Sequence, residues 1–397
     1  MVEPRSFAAL RTRFDAELAA SSDVTDPAWL AAFRAIPRHP FVPHFFTQTP
    51  DTPGWRLVEP SSPQWRESVY SMAPLITQID GDDSLTETAR TGHTVNGPAT
   101  SSSSAPTLMG LMLQALDVRD GQTILEVGTG TGYNTALLCH RLGPDNVTSM
   151  DVDPALITRA AQRLAALGYA PHLVTGDGRD GCPERAPFDR MIATVGLGRV
   201  PLAWIDQTRD GGRLLVPLDR RSCGGLLALL TVHGSRASGP FLPAFGGFMP
   251  VRSERGHDAA LAAFREVADD QATTGTTALG VEVATDNSHP AEFFATLTVP
   301  GSGWDHMTFI PDDGGPTETW LGQQDGSWTC HTTTIDGTHT VRQGGPRRLW
   351  DAIEHAHHEW QQLGQPTRER FGLTVEHGHH TLWLDEPANP STWPLDG

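Results

Sequence analysis

Short apolar runs alternate with helical stretches between about residues 124 and 232. The runs that predict strands lie at 124–127, 147–151, 171–175, 188–194, 212–217 and 226–232. The stretches that predict helices lie near 133–142, 154–167 and 199–208. This alternation is typical of an α/β fold with a doubly wound parallel sheet. We expect the last strands to be antiparallel because only short turns separate them.

The chain before this segment has a different pattern. Residues 1–34 predict a helical arm, with apolar residues at helical spacing at Phe7, Leu10, Phe14 and Leu18. Residues 44–100 lack a clear period and are rich in Pro, Thr, Ser, Gly and Asp. They predict an inserted loop or flap beside the functional site, with one strand-like piece at 71–79.

Beyond about residue 256 the pattern predicts an α+β domain. Its predicted elements are a helix at 258–269, strands at 277–284 and 291–299, a helix at 346–363 and a hairpin around His377 and Gly378. We therefore predict three segments. They are an N-terminal helical arm with its inserted loop at 1–100, a core at 101–254 and a C-terminal α+β accessory domain for substrate recognition at 255–397.

The strand at 124–127 leads into a glycine-rich turn. Glycines at 128, 130 and 132 let the backbone turn sharply at the carboxyl end of a strand and lie close to a ligand. Their spacing differs from the dinucleotide fingerprint G-x-G-x-x-G, and no lysine follows as it does in a P-loop. Glu126 beside the turn would repel phosphate. The pattern therefore favours a cationic ligand with a free amino group, which S-adenosyl-L-methionine is.

Two further acidic turns follow in order. Asp151 ends the second strand, where nucleotide-binding sheets hold ribose hydroxyls, and Asp177 ends the third, where a carboxylate can accept from an adenine amino group. The alternative is an α/β domain with ordinary turn glycines, which three such turns in order disfavour. The predicted cofactor-binding residues are Glu126, Gly128, Thr129, Gly130, Gly132, Tyr133, Asp151, Val152, Asp177 and Gly178.

Composition limits the classes of function. The chain has 397 residues, 38% of them hydrophobic, and its formal net charge of −18 argues against a nucleic-acid partner. It shows neither an apolar span of membrane length nor a signal-peptide pattern, so we expect a cytoplasmic enzyme without a membrane partner. The cysteines lack C-x-x-C spacing and are predicted to be reduced thiols: Cys139, Cys182, Cys223 and Cys330. The C-terminal histidines are expected on a polar surface, so no metal site is predicted: His355, His357, His358, His377, His379 and His380.

Six motifs between about residues 29 and 252 resemble those of the protein-L-isoaspartate O-methyltransferases. Residues 35–43 match the P-R-H-x-F-V-P signature of that family, and residues 102–106 match its T-I-S-x-P active-site loop. The other matches lie at 126–133, 176–178 with 187–189, 211–217 and 248–251. The resemblance covers a little over half of the chain. It implies a Rossmann-like class I methyltransferase sheet of seven strands that binds S-adenosyl-L-methionine.

The same resemblance provides catalytic candidates. Ser104 matches the active-site serine of the family, whose hydroxyl donates a hydrogen bond that positions the acceptor or the cofactor; a loop-capping serine is the alternative. Ser103 is a second candidate because four consecutive serines leave the register open. Thr194, at the end of the fourth strand, is predicted to face the acceptor peptide. Arg38 and His39 either face the substrate or fix the N-terminal arm against the sheet.

Methyl transfer to a carboxylate needs no general base, because the acceptor is already ionised at neutral pH. The insertion and the C-terminal domain add binding surface, and such elongated chains resemble the methyltransferases that tailor ribosomally made peptides (lanthipeptides, lasso peptides, graspetides). That resemblance implies esterification of an aspartate in a precursor peptide and closure to a succinimide, whose hydrolysis leaves isoaspartate. The alternatives are repair of isoaspartate in damaged proteins and a non-catalytic cofactor-binding or assembly module. The oligomeric state is left open.

Overall fold

A computed structural model describes residues 6–49, 52–220, 224–252, 272–301, 303–311 and 314–395. The chain divides into two units, which differ from the three segments predicted above. The first unit holds the described residues of 1–195, 203–215 and 232–234, and the second holds those of 196–202, 216–231 and 235–397. Every described helix is too short or too polar to span a membrane.

The first unit begins with the predicted helical arm, α1 Phe7–Ala20 and α2 Pro27–Ala35. The Ser6 hydroxyl accepts a hydrogen bond at the start of α1, and Asp26 caps α2 in the same way. The apolar residues that recur at helical spacing in α1 are buried: Leu10, Phe14 and Leu18. Their burial accounts for the period that predicted the helix.

The interval after the arm forms a small antiparallel sheet where a loop or flap was expected. Its strands, in the spatial order β2-β1-β3-β4, are β1 Phe45–Thr49, β2 Thr52–Val58, β3 Leu75–Ile79 and β4 Ala99–Ser103. Two helices accompany it, α3 Pro63–Val69 and α4 Asp83–Arg90. The fully buried core of this sheet is small, chiefly Phe46, Ile79 and Val95, and half-buried apolar side chains such as Trp55 and Leu57 pack against it. The fully buried residues lie far apart in the sequence, which explains why the sequence predicted a loop.

The rest of the first unit is the predicted doubly wound sheet. Its parallel strands, in the order β7-β6-β5-β8-β9, are β5 Ile124–Val127, β6 Val147–Asp151, β7 His172–Thr175, β8 Phe188–Ala193 and β9 Thr208–Leu218. The accompanying helices are α5 Pro106–Ala115, α6 Tyr133–Leu142, α7 Pro154–Ala166 and α8 Leu202–Asp206. The chain runs outward from β5 to β7 and then returns to the other side of β5 with β8. Ligands bind at the carboxyl ends of the strands at such a switch point.

The second unit contains two antiparallel arrangements. One has the order β19-β18-β17-β11-β10, with β10 Leu226–His233, β11 Arg236–Phe245, β17 Phe371–Glu376, β18 His379–Leu384 and β19 Thr392–Pro394. The other has the order β12-β16-β15-β14-β13, with β12 Thr273–Thr277, β13 Asp305–Phe309, β14 Thr317–Gly322, β15 Trp328–Thr333 and β16 His339–Gly344. Its described helices are α9 Glu282–Thr285, α10 Pro290–Thr298 and α11 Leu349–Gln362.

Two strand predictions in this unit were wrong. The run at 291–299 is helix α10, which Pro290 opens and His289 caps, and almost all of its side chains are buried. When every face of an element is buried, its apolar run does not distinguish a strand from a helix. The run at 277–284 includes the last residue of β12, the connection after it and most of α9, and the predicted helix at 258–269 lies outside the described residues. The hairpin is confirmed, with His377 and Gly378 in its turn at positive φ.

Candidate active site

The glycine-rich turn lies at the carboxyl end of β5. Gly128, Gly130 and Gly132 all have positive φ, and the amides of Gly128 and Thr129 donate to the carbonyl of Met150 at the end of β6. A Cβ atom on Gly128 would lie 2.5 Å from the Thr194 Oγ1 atom, so a side chain has no room there. A Cβ on Gly130 would meet no atom within 3.5 Å. The turn is therefore closed on its inner side and open on its outer side.

Glu126 lies beneath this turn and has no exposed surface. Its carboxylate accepts hydrogen bonds from Asn134 Nδ2 (2.7 Å), Ser149 Oγ (2.6 Å) and the Thr135 hydroxyl. Burial raises the pKa of Glu126 to about 7, although these hydrogen bonds oppose the shift. This placement corrects the expectation that Glu126 meets the amino group of the ligand: the carboxylate holds the turn and the start of α6 from behind.

Asp151 connects the first two turns. Its Oδ2 atom accepts from the amide of Gly130 at 2.9 Å, and its Oδ1 atom accepts from the amide of Asp153 at 3.0 Å. A carboxylate oxygen can accept more than one hydrogen bond, so the Asp151 carboxylate is chemically suited to accept from a ribose hydroxyl. The next residue, Val152, is 48% exposed and provides an apolar surface beside the carboxylate. The Asp151 carboxylate suits the two hydroxyls of a ribose, and the Val152 side chain suits contact with a flat base.

Asp177 and Gly178 form the third turn, as predicted. The Asp177 carboxylate accepts from the amide of Arg179 at 3.0 Å and pairs with the Arg179 guanidinium at 2.6 Å, which lowers the pKa of Asp177. Asp177 is therefore ionised and can accept a further hydrogen bond. A Cβ atom on Gly178 would lie 2.4 Å from Val127 Cγ1, so glycine lets this turn pack against the end of β5.

Two predicted cofactor-binding residues have inward-facing side chains. Thr129 is buried, and its hydroxyl lies 2.6 Å from Ser149 Oγ. Tyr133 is buried against Phe33 and Phe41, and its hydroxyl has no hydrogen-bond partner among the described residues. Contacts between either residue and a ligand would therefore come from the backbone of the turn, because the apolar arm covers the side chain of Tyr133.

The serine run, residues 101–104, forms the end of strand β4 and the entry to α5. Its composition would have been equally consistent with a linker or loop. Ser103 is 2% exposed, whereas Ser104 is half-buried and its hydroxyl has no partner among the described residues. The Ser101 hydroxyl and the Ser102 carbonyl oxygen lie 3.6 Å from the Cβ position of Gly130. The fold therefore brings the serine run to the glycine turn, and Ser104 is the better placed of the two catalytic candidates.

Arg38 holds the serine run in place. Its guanidinium is fully buried and donates to the main-chain carbonyls of Ser103 (3.0 Å) and Ser104 (3.1 Å) and to the Ser103 hydroxyl (3.1 Å). It also donates to three carbonyls of the preceding segment, those of Val69, Ser71 and Ala73. Burial lowers the pKa of Arg38 to about 10, so it stays charged at neutral pH. Arg38 is thus a positioning residue for the serine run rather than a substrate-facing group.

His39 belongs to an aromatic cluster of the arm. Its Nδ1 atom lies 2.6 Å from the Tyr70 hydroxyl, and its ring stacks on Phe7 at a centroid distance of 4.6 Å. Burial lowers the pKa of His39, so the ring is neutral at pH 7. These contacts favour the structural alternative over the substrate-facing one.

The Thr194 side chain faces the glycine turn, and the prediction that it faces the acceptor peptide was wrong. Its hydroxyl donates to the carbonyl of Gly128 at 2.7 Å and lies 3.3 Å from that of Val127. A threonine hydroxyl has one proton to donate, and here that proton holds the glycine turn rather than an acceptor peptide. The position at the end of β8 was predicted correctly, but the direction of the side chain depends on the neighbouring turn.

Sequence reasoning missed the residues that attach the inserted sheet to this site. Gln78 in β3 is 3% exposed, donates to Asp153 Oδ2 at 3.0 Å and accepts from the Thr100 hydroxyl at 2.8 Å. Arg159 in α7 pairs with Asp83 in α4 at 2.7 Å. The inserted sheet thus packs against the Asp151 side of the site. Single polar residues far apart in sequence carry no signal of such pairing.

The parallel sheet, its switch point and the three turns at the strand ends define a Rossmann-like class I methyltransferase. A family model described as protein-L-isoaspartate(D-aspartate) O-methyltransferase matches residues 72–229. A protein-L-isoaspartate O-methyltransferase of Opitutus terrae is 32% identical over 233 residues, which cover 58% of this chain and 80% of the relative. Another, from Syntrophobacter fumaroxidans, is 38% identical over 157 residues, 39% of this chain and 72% of the relative. The chain belongs to the protein-L-isoaspartate O-methyltransferase family.

A solved structure named protein-L-isoaspartate O-methyltransferase has the same fold. It covers 95% of this chain and all of its own length, with a TM-score of 0.52 and 21% identity. As a member of this family, the protein is an S-adenosyl-L-methionine-dependent carboxyl methyltransferase. The site fits this cofactor: the open glycine turn, Asp151, Val152 and Asp177 would hold it, with Glu126 and Thr194 supporting the turn.

Proposed function

We propose that this enzyme methylates the free carboxylate of isoaspartyl residues in proteins or peptides. The observation that carries the proposal is the half-buried Ser104 hydroxyl, which has no partner among the described residues and belongs to the serine run that meets the open face of the glycine turn at Ser101 and Ser102. The names of the relatives support the same acceptor. A solved structure with the same fold covers 95% of this chain, so an elongated chain is not by itself a sign of a dedicated precursor peptide.

When bound, S-adenosyl-L-methionine supplies a methyl group on a positively charged sulfur. The residues of this chain have a positioning task, since an ionised carboxylate needs no proton removed. Ser104 donates one hydrogen bond to an acceptor oxygen and leaves the other oxygen free to react. A single neutral donor suits this role, because stronger donors would stabilise the charge that is lost on transfer. Arg38 is directed at backbone carbonyls and away from the acceptor.

A second candidate is the aspartate of a ribosomally made precursor peptide, with closure to a succinimide after esterification. One specific observation favours it. The four-stranded sheet β1–β4 ends in the serine strand β4 and is attached to the cofactor side of the site through Gln78 and Asp83, which adds a structured surface next to Ser104. A dedicated peptide could use such remote contacts to position one side chain.

The test uses two synthetic peptides that differ only in carrying isoaspartate or L-aspartate at one position. Intact-mass measurement with S-adenosyl-L-methionine follows the gain of one methyl group. We expect efficient methylation of the isoaspartyl peptide alone. Methylation of neither peptide, with cofactor binding intact, would contradict the proposal and favour the dedicated precursor. Family membership already argues against the non-catalytic alternative, which failure to bind the cofactor would restore.

A further inference from the structure

Three side chains with metal-binding atoms lie close together in the first unit. All three are far from Ser104 in the sequence. His172 is the first residue of β7, and Cys182 and Glu184 lie in the connection that precedes β8. One ligand atom from each residue lies within 4.8 Å of the other two, and His172 Nε2 is 4.0 Å from Glu184 Oε1. Cys182 is buried, whereas His172 and Glu184 are exposed.

The three donors have the chemistry that zinc prefers. Imidazole nitrogen, thiolate sulfur and carboxylate oxygen bind Zn²⁺ at about 2.0–2.3 Å, and a site with three protein ligands keeps its fourth position for water. The donor atoms must approach one another by roughly 1 Å to reach those distances. The exposed side chains of His172 and Glu184 can make this movement by rotation, while the buried Cys182 supplies a fixed point.

We propose that His172, Cys182 and Glu184 form a zinc site with one open position. Binding replaces the thiol proton of Cys182 by the metal and releases that proton to solvent. The thiolate and the carboxylate together balance the charge of the cation, so the occupied site is neutral. This proposal goes beyond the methyl transfer and contradicts the sequence-based expectation that the chain has no metal site.

The position of the site gives it a structural consequence. His172 and Glu184 are twelve positions apart, and the turn with Asp177 and Gly178 lies between them. A metal bound to both ends closes this segment into a loop and reduces the freedom of its unfolded state. Zinc should therefore stabilise the first unit against heat, in addition to any effect on the cofactor.

Cobalt(II) titration of the full-length enzyme tests the proposal, because a cobalt–thiolate bond adds a charge-transfer absorption band. We expect saturation at one equivalent, displacement by Zn²⁺ and loss of the band in Cys182→Ser. The surface variants His172→Asn and Glu184→Gln should weaken Co²⁺ binding by at least about tenfold, or about 1.4 kcal/mol. His140→Asn, which removes an exposed histidine elsewhere in the unit, should bind like the wild type.

The proposal is overturned if the wild type shows no band, or if the band survives in Cys182→Ser. Should Cys182→Ser fail to fold, full-strength binding by both surface variants would overturn it equally. Thermal unfolding provides a second measurement: at the same Zn²⁺ concentration, the midpoint of the wild type should rise more than that of His172→Asn. None of these measurements depends on the peptide acceptor, so this proposal and the proposed function can fail separately.

Discussion

Two buried ionisable residues, Arg38 and Glu126, organise the site without facing its substrates. Each is fully buried and hydrogen-bonded to uncharged groups: main-chain carbonyls and a serine hydroxyl for Arg38, and hydroxyls and an amide for Glu126. A buried charge requires such partners, and a buried group left unpaired costs about 1–3 kcal/mol or more. At the scale of the residue, the site therefore depends on supports that the sequence motifs alone do not reveal.

Ser104→Ala tests the role of the catalytic candidate. A hydrogen bond to a charged group contributes about 1.5–3 kcal/mol, so we expect kcat/KM for the peptide to fall by about 10- to 100-fold. The dissociation constant of S-adenosyl-L-methionine, measured by calorimetry, should stay unchanged if Ser104 positions the acceptor. Ser102→Ala is the matched control in the same run. Unchanged kcat/KM in Ser104→Ala would show that this hydroxyl is not used.

Arg38→Lys and Arg38→Met test the support of the serine run. A lysine has three donors and no planar fork, so it leaves some of the carbonyls unpaired, and methionine leaves all of them unpaired. We expect stability to fall in the order wild type, Lys, Met, with a loss of at least about 3 kcal/mol for Met in urea unfolding. In Arg38→Lys, kcat should fall while cofactor affinity is kept.

The exposed Arg119 offers a control for these variants, because Arg119→Met removes the same charge from the surface. Equal stability of Arg38→Met and Arg119→Met would refute the support assigned to Arg38.

At the scale of the element, turns at the strand ends decide whether the cofactor can bind. The three acidic turns follow β5, β6 and β7, and parallel pairing brings their carboxyl ends to one edge. The glycine turn is closed inward by Thr194 and the Asp177 turn is packed on Val127. The elements were predictable from periodicity, but these contacts between turns depend on strand order.

Gly178→Ala tests the packing of the third turn. The added Cβ would lie 2.4 Å from Val127 Cγ1, a stiff β-branched side chain, so the turn must shift. Overpacking of this kind costs about 1–3 kcal/mol, and we expect the cofactor dissociation constant to rise by about 5- to 100-fold. Gly176→Ala in the same turn is the control, since its Cβ would meet only Met150 Cε at 3.8 Å. Equal effects of the two substitutions would contradict this account.

At the scale of the whole molecule, the second unit contains a buried acid that couples its folding to pH. Glu292 in α10 is fully buried; its Oε1 atom accepts from the Thr296 hydroxyl, and its Oε2 atom has no partner among the described residues. Burial raises the pKa of Glu292 to about 8. Because the folded state keeps this proton when the unfolded chain has lost it, the free energy of unfolding falls as pH rises from about 4.5 to about 8.

Glu292→Gln keeps a neutral, hydrogen-bonding side chain at this position and removes the titration. We expect the variant to be more stable than the wild type at pH 8 by more than about 1 kcal/mol and to lose that advantage at pH 4. Chemical unfolding followed by tryptophan fluorescence at both pH values measures this. Glu376→Gln, at an exposed position, controls for the loss of one carboxylate. An advantage of Glu292→Gln that is independent of pH would disprove the titration.

The sequence by itself determined the parallel sheet, its boundaries from 124 to 194, the three turns at the strand ends, the cofactor and the family. These features follow from local causes, namely alternating apolar runs, glycines that permit positive φ and acids at strand ends. Only the tertiary structure decided that 44–100 is a sheet, that 291–299 is a helix and that Thr194 and Glu126 face inward. It also decided which residues distant in sequence meet, such as Arg38 with Ser104 and His172 with Cys182. Tertiary packing determines where a side chain points and which residues it contacts. Neither property follows the helix or strand period along the chain, so the sequence pattern does not predict it.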